Sequence, residues 1–311
     1  MRRTRLLIAG IASLGLLAGA AYAAGGEEHP HPPEEGFTFE GPFGEFEQEQ
    51  LQRGFQVYSQ VCSSCHSMKL LSYRNLGEPG GPFYSADYSA NENPQVKAIA
   101  SQYEVEGGLD EFGDPTFRPA TPADRFKSPY ANEAAARAAN GGAYPPDFSA
   151  IVKARAGGAA YIYSLVSGYP EDPEYDGIFE FPLEDAAHAD HSEEDGKHEI
   201  HGTLTQPLGQ YYNPYMPGDV TPQWQGDPRH VPPGGFLAMP PILVEGSVQY
   251  MDGTEATVDQ MAADVATFLA WASEPKQDMR KRTGLMTVIF LSVLAILLWF
   301  SYHQIWRKVD H

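Results

Sequence analysis

Cysteine is nearly absent from this chain, with two in 311 residues. That count excludes a disulfide-stapled scaffold and a four-cysteine metal cluster. Basic residues are also scarce: 21 Lys and Arg stand against 41 Asp and Glu, for a formal net charge of −20. Phosphate contacts need a basic surface, so nucleic acid is excluded as a partner. Long apolar runs occur only at the two ends of the chain. No βαβ pattern flanks the cysteines, and the other histidines lie far away in sequence. A thioredoxin-like dithiol and half of a zinc site are therefore both disfavoured.

What is present is the stretch Cys62-Ser63-Ser64-Cys65-His66. Two cysteines separated by two residues, with histidine immediately after, read as a c-type haem attachment site. Each thiol adds across one vinyl group of the porphyrin, and two intervening residues let both sulfurs reach the same edge. The histidine is then carried over the haem face, where its imidazole can bind iron.

The ends of the chain carry targeting signals. Met1 to Arg5 is basic, Leu6 to Ala20 is apolar and small, and Ala21-Tyr22-Ala23 matches a small-x-small cleavage site. Residues 1–23 are thus expected to be a cleaved signal peptide. Export suits the haem motif, since covalent attachment takes place beyond the energy-transducing membrane. Residues 284–306 hold no Asp, Glu, Lys or Arg, and as a helix they cover about 34 Å, enough to cross a hydrocarbon core of roughly 30 Å. Trp299, Tyr302 and Trp306 form an aromatic belt at one end. The expected topology is a single-pass protein of the bacterial inner membrane. An exported haem domain spans 24–279 on the periplasmic side, and a short cytoplasmic tail covers 307–311. Lys276, Arg280, Lys281 and Arg282 then stand on the outer side, against the positive-inside tendency, where lipid headgroups or a partner subunit could meet them.

Arg2, Arg3 and Arg5 leave with the signal, so 21 less 3 gives 18 basic residues against 41 acidic, a net charge of about −23. Such a surface steers cationic partners. Along the exported part, Phe37, Phe39, Phe43 and Phe46 are expected to pin an N-terminal arm to the domain. Residues 47–61 read as a helix through Leu51, Phe55 and Tyr58, with Gly54 allowing another helix close. Loops around short helices, such as 94–103, follow to Pro129. Asn132 caps a helix ending at Asn140-Gly141-Gly142. A helix through Ile151 to Arg155 is expected behind Asp147 or Ser149, and another from 159 to 168. The acidic insert at about 171–205, with His188, His191, His198 and His201, reads as solvated loop. Residues 210–240 read as irregular. Val244–Tyr250 alternates like half of a small hairpin, and Thr257 caps a helix over 258–272 with an apolar stripe.

A haem that only carries electrons has both axial positions filled by protein, and Met with His gives a high potential. Of eight methionines, Met1 leaves with the signal, Met286 lies in the membrane and Met279 beside it. Met68 is too near His66 to cross the ring, and Met261 belongs to a helix stripe. Met216, Met239 and Met251 remain. Met239, in Ala238-Met239-Pro240-Pro241-Ile242, is favoured because two prolines stiffen its loop. Met216 comes second.

Taken together, these segments resemble the cytochrome c1 family, the haem subunits of quinol–cytochrome c oxidoreductase (bc1) complexes. The resemblance rests on Cys62–Lys69 with Tyr73-Arg74, on Ala139–Ser149, and on Lys153–Tyr161. It continues through Tyr212–Gly218, Ala238–Ile242, Asp252–Thr257 and Phe268–Pro275, ahead of a single C-terminal span. It implies a mostly α fold, a c-type cytochrome haem domain with long irregular loops, plus one transmembrane helix. It also implies one haem c held through Cys62 and Cys65, His66 and Met239 as iron ligands, and Asn140, Pro146, Arg155 and Tyr161 lining the pocket, with Arg155 by a propionate. The implied work is passing single electrons from a Rieske iron–sulfur protein to a soluble or membrane-bound cytochrome c, beside cytochrome b. By itself the chain is then a carrier, not a catalyst. The alternatives are a membrane-anchored cytochrome c serving a terminal oxidase, an open-site haem enzyme such as a peroxidase, and a redox-thiol or binding protein without haem.

Overall fold

Helix α1 (Gln48–Gln60) buries Leu51, Phe55 and Tyr58 on one face, with Gly54 and Val57 between them. The computed structural model describes residues 29–170, 177–183 and 200–307. Among the described residues, four further α-helices lie between α1 and the long C-terminal one: α2 (Pro94–Ala100), α3 (Glu133–Ala139), α4 (Gly158–Ser167) and α5 (Val258–Ser273). Asn93, Asn132 and Thr257 cap α2, α3 and α5 by accepting backbone N–H groups at their N-termini, as short polar side chains do there.

The centre of the fold is α5. It carries more than a stripe, for every residue from Met261 to Ala272 is buried. The cause is double coverage, α1 packing on one side and α4 on another. Gly54 lets α1 approach so closely that an added Cβ would collide with the Asp264 carbonyl and lie 2.6 Å from Phe268 Cβ. Full burial strands Asp264, which is neutralised by Arg53: Nε lies 3.0 Å from its carboxylate, and the same guanidinium reaches Asp252 at 2.9 Å.

Several expected loops are paired strands. β1 (Glu104–Leu109) and β2 (Pro115–Pro119) form an exposed hairpin. The described ends of the acidic insert are not loop but antiparallel strands β3 (Ile178–Leu183) and β4 (Ile200–Thr205). β6 (Trp224–Gln225) joins β4, and Phe179, Leu204, Tyr212, Val220 and Trp224 make a small second core. The insert's average charge had concealed two short apolar alternations. β5 (Tyr211–Asn213) pairs with β7 (Gly235–Leu237) inside the segment expected to be irregular. Val244–Tyr250, conversely, is no strand. Its Val248 and Tyr250 are buried singly, while the Gln249 carbonyl accepts from the Gln56 side chain and the Gly246 N–H donates to the Ala256 carbonyl. Residues 151–155 make only a short 3-10 turn, Val152–Ala154. The segment expected to be a signal peptide, His188, His191, His198 and residues 308–311 lie outside the described residues.

Helix α6 (Gln277–Trp306) has 30 residues, about 45 Å at 1.5 Å each, with a mean hydropathy of 2.3 in its most apolar window. It is long and apolar enough to cross a membrane and fits a single-pass membrane protein. The helix starts seven residues before 284, so about two helical turns precede the apolar stretch. Two of the four cations ahead of the apolar stretch are occupied within the chain: Arg280 pairs with Glu274, and Lys281 Nζ donates to the carbonyls of Phe39 and Gly44 at 2.6 and 2.8 Å.

Candidate haem-binding site

Helix α1 runs straight into the cysteine motif. Cys62–Ser64 is a 3-10 turn closed by the N–H groups of Cys65 and His66, both donating to the Cys62 carbonyl at 3.1 and 2.9 Å. Both thiols are free; Cys62 is buried and Cys65 half-buried. Burial, with Cys65 adding to it, pushes the Cys62 thiol up to about 12, as expected of a sulfur facing an apolar interior.

The His66 ring is held from two directions. Nδ1 lies 2.9 Å from the Pro146 carbonyl. A carbonyl only accepts, so Nδ1 carries the proton and the Nε2 lone pair is left for a metal. Phe148 stacks on the ring at 3.9 Å and 14°. Burial lowers the pKa of His66, against the opposing pull of the Pro146 carbonyl, and so favours the neutral ring, the form able to bind a metal.

The Pro146–Ser149 segment reaches this position because it is laced to residues 67–70. Asp147 Oδ2 accepts from Ser67 Oγ at 2.7 Å and from Lys69 N–H at 2.9 Å, and Oδ1 accepts from Ser149 N–H at 2.9 Å. Phe148 N–H donates to the Ser67 carbonyl at 2.8 Å, and Leu70 N–H to Ser149 Oγ at 3.0 Å. Burial alone would raise the Asp147 carboxyl, but the hydrogen bonds from Ser149, Lys69 and Ser67 outweigh it and hold it below its usual value. Asp147 and Ser149 therefore act across the chain instead of capping a helix. Asp147→Ala leaves two N–H donors without their acceptor, at an expected cost of about 2 kcal/mol. Thermal unfolding followed by haem absorbance measures it; a loss under about 0.5 kcal/mol would contradict this role.

Asn140 sits on the Cys65 side. Its Nδ2 donates to the Tyr130 hydroxyl at 3.0 Å, and Tyr130 in turn donates to Cys65 Sγ at 3.7 Å. Cys65, Tyr130, Ser67, Tyr144 and Pro145 line a cavity of about 100 Å³ there. A second group surrounds α4. The Tyr161 hydroxyl donates to Met216 Sδ at 3.8 Å. Burial raises its pKa, against the Arg155 guanidinium beside it. Arg155 itself is exposed. Tyr169 donates to the Met239 carbonyl at 2.8 Å. Thus His66 and Pro146 are joined directly, Asn140 reaches Cys65 through Tyr130, and Arg155 joins Tyr161. Met239 is held by its backbone.

Tyr130, Phe148 and Tyr169 escaped the sequence reading, since an aromatic in a loop carries no periodic signal. Asp147 had one in the Asp-x-Ser spacing of an Asx turn. The donor set fits a covalently held c-type haem: two free thiols on one turn, and a neutral imidazole oriented through its other nitrogen, as metal-bound histidines are.

A family model described as "Cytochrome C1 family" matches residues 37–309. The chain is 40% identical over 295 residues to "Cytochrome c1" of Rhodospirillum rubrum, covering 95% of this chain and 94% of that one. It is 38% identical over 278 residues to "Cytochrome c1, heme protein, mitochondrial" of Saccharomyces cerevisiae, covering 89% and 71%. A Bradyrhizobium diazoefficiens protein named "Cytochrome b/c1" is 39% identical over 305 residues, 97% of this chain, which spans 39% of that relative's length. A match reaching from the N-terminal arm through the haem motif to the last helix, with identity near 40% along almost the whole of a relative, means that the chain belongs to the cytochrome c1 family.

Proposed function

We propose that this chain is the haem-carrying subunit of a quinol–cytochrome c oxidoreductase. In that role it takes single electrons from a Rieske iron–sulfur protein and gives them to a soluble or membrane-bound cytochrome c, next to cytochrome b. The observation that carries the reading is the His66 ring. Its Nδ1–H is fixed on Pro146 and its face lies against Phe148, directly after two thiols on one turn. Haem, when bound, supplies a one-electron iron couple. Cys62 and Cys65 would hold it by thioether bonds, with His66 and Met239 as its iron ligands.

The surroundings of the other sulfurs support Met239. Met251 is 99% exposed and Met68 lies in the core. Met261 Sδ accepts from Ser247, and Met216 Sδ accepts from Tyr161. No described hydrogen bond engages the Met239 sulfur, while Tyr169 steadies its carbonyl. Asn140 with Tyr130 orders the Cys65 edge, and Arg155 supplies a cation for a propionate. The acidic surface suits a basic acceptor. We place the signal peptide at 1–23, the periplasmic domain at 24–279, the span at 284–306 and the tail, 307–311, in the cytoplasm.

Haem staining after denaturing electrophoresis tests the attachment. Wild type stains, and Cys62→Ala with Cys65→Ala does not. A colourless wild-type band would refute it. Co-purification with cytochrome b and a Rieske protein separates this role from service to a terminal oxidase.

A further inference from the structure

Phe43 is 76% exposed. One exposed aromatic is ordinary on a protein surface, but this one projects from a segment fastened to the membrane helix. Residues 37–46 form an arm whose Phe37 and Phe39 are buried, with Phe39 stacked on Phe46 at 4.7 Å. The arm turns tightly at Gly44, where an added Cβ would collide with the Glu40 carbonyl and lie 2.6 Å from that of Thr38. This turn aims two carbonyls at one ammonium, Lys281 Nζ donating to Phe39 at 2.6 Å and to Gly44 at 2.8 Å. Gln277 Nε2 donates to the Phe39 carbonyl at 3.0 Å, and Phe46 N–H donates to Asp278 Oδ2 at 3.1 Å.

All these partners lie on the first turns of α6, immediately before its apolar stretch. At 1.5 Å per residue, positions 277–281 stand about 5–10 Å above Gly284. That is close to the depth of a headgroup layer, roughly 5–8 Å on each side of the hydrocarbon core. Exposed Lys276 and Arg282 flank the same turns and offer cations to lipid phosphates. Glu40 and Glu45, exposed beside Phe43, suit a zwitterionic headgroup better than a strongly anionic one. The tip is thus an exposed aromatic, bordered by charge and tied through its neighbours Phe39, Gly44 and Phe46 to the first turns of α6, which is the setting of an interfacial side chain.

We propose that this arm is a second membrane contact of the exported domain, with Phe43 seated at the headgroup–acyl boundary beside α6. The inference rests on α6 crossing the membrane. It has a consequence for the haem. The arm continues back to α4, where His31 N–H donates to Ser164 Oγ at 2.9 Å, and α4 carries Tyr161. Lys153, in the turn before Arg155, also pairs with Glu274 at 3.0 Å. Two points of attachment to the bilayer define an orientation for the haem-bearing face, which a lone helix free to swivel would not.

The test is a nitroxide label on F43C in the haem-loaded full chain, assembled in its complex in phosphatidylcholine membranes. Collisions with oxygen, which concentrates in lipid, are compared with collisions with a water-soluble nickel chelate. L285C, in the first apolar turn, and M251C, fully exposed on the domain, are the lipid and water references. The expected oxygen-to-nickel ratio at F43C is several-fold above that of M251C, and adding Lys281→Ala brings it down to the M251C value. A ratio at F43C equal to that of M251C would overturn the proposal. Exclusion of both reagents, meaning that a protein neighbour covers Phe43, would do so too. An aqueous ratio at L285C would overturn the span and the arm's seat together.

Discussion

With leucine at Met239, the chain is expected to keep its covalent haem while the midpoint potential falls by a few hundred millivolts, out of the roughly 0.8 V that axial ligands span. Thioether sulfur stabilises ferrous iron, and an alkyl chain cannot replace it. Turnover from quinol to cytochrome c should then stop, because the carrier no longer lies between its donor and acceptor in potential. A redox titration of the haem absorption band measures the shift. Met216→Leu is the informative control. Its sulfur already accepts from Tyr161 at 3.8 Å, so its loss should move the potential far less. If M239L titrated like wild type, Met239 would be excluded as ligand. If M216L then produced the large fall, Tyr161 would have to release that sulfur on haem binding. An open-site haem enzyme behaves differently again: it binds external ligands at its iron in the wild type, and M239L leaves its iron coordination unaltered.

Gly54→Val is expected to prevent accumulation of the haem-loaded protein altogether. Even one Cβ at this position collides with the Asp264 backbone and lies 2.6 Å from Phe268 Cβ. Overpacking typically costs about 1–3 kcal/mol. Here the obstacle is backbone in the most buried helix, so about 3 kcal/mol or more is expected. A domain holds only about 5–15 kcal/mol in total. Separating α1 from α5 also moves the Arg53 guanidinium away from Asp264, 3.0 Å distant, and displaces the turn that α1 delivers to the cysteines. The milder Gly54→Ala should lower the unfolding midpoint measurably while retaining some haem. Gly284→Ala, with nothing within 4 Å of the added carbon, should be close to neutral. Equal stability of G54A and wild type would contradict the close helix contact.

Helix positions were legible wherever the signal was local. The caps Asn132 and Thr257 and the apolar spacing of α1 each predict an element from residues within a few turns of it. The close approach at Gly54 was legible too, since glycine in an apolar helix pattern has few other uses. The paired strands were not. Ile178–Leu183 and Ile200–Thr205 are brief, and a highly charged segment separates them, so composition averaged over the insert masked both. Val244–Tyr250 failed in the opposite direction. Its alternation is real, yet Gln56 and Ala256 take up its backbone groups, so no second strand is called for. At the site, Asn140 and Pro146 came from resemblance alone, and their contacts connect residues far apart in sequence.

Local sequence by itself determined the donor groups and the charge: two thiols and an imidazole within five residues, a strongly acidic balance, and an apolar run long enough to cross a bilayer. These are properties of neighbouring residues, and no fold is needed to express them. Only the tertiary structure decided which nitrogen of His66 is free, because the Pro146 carbonyl comes from 80 positions away. It likewise decided that Met251 faces water, that Met216 is already engaged, and that Lys281 grips the N-terminal arm. Those outcomes depend on which distant segments are packed together, and packing follows from how α5 is enclosed by its neighbours.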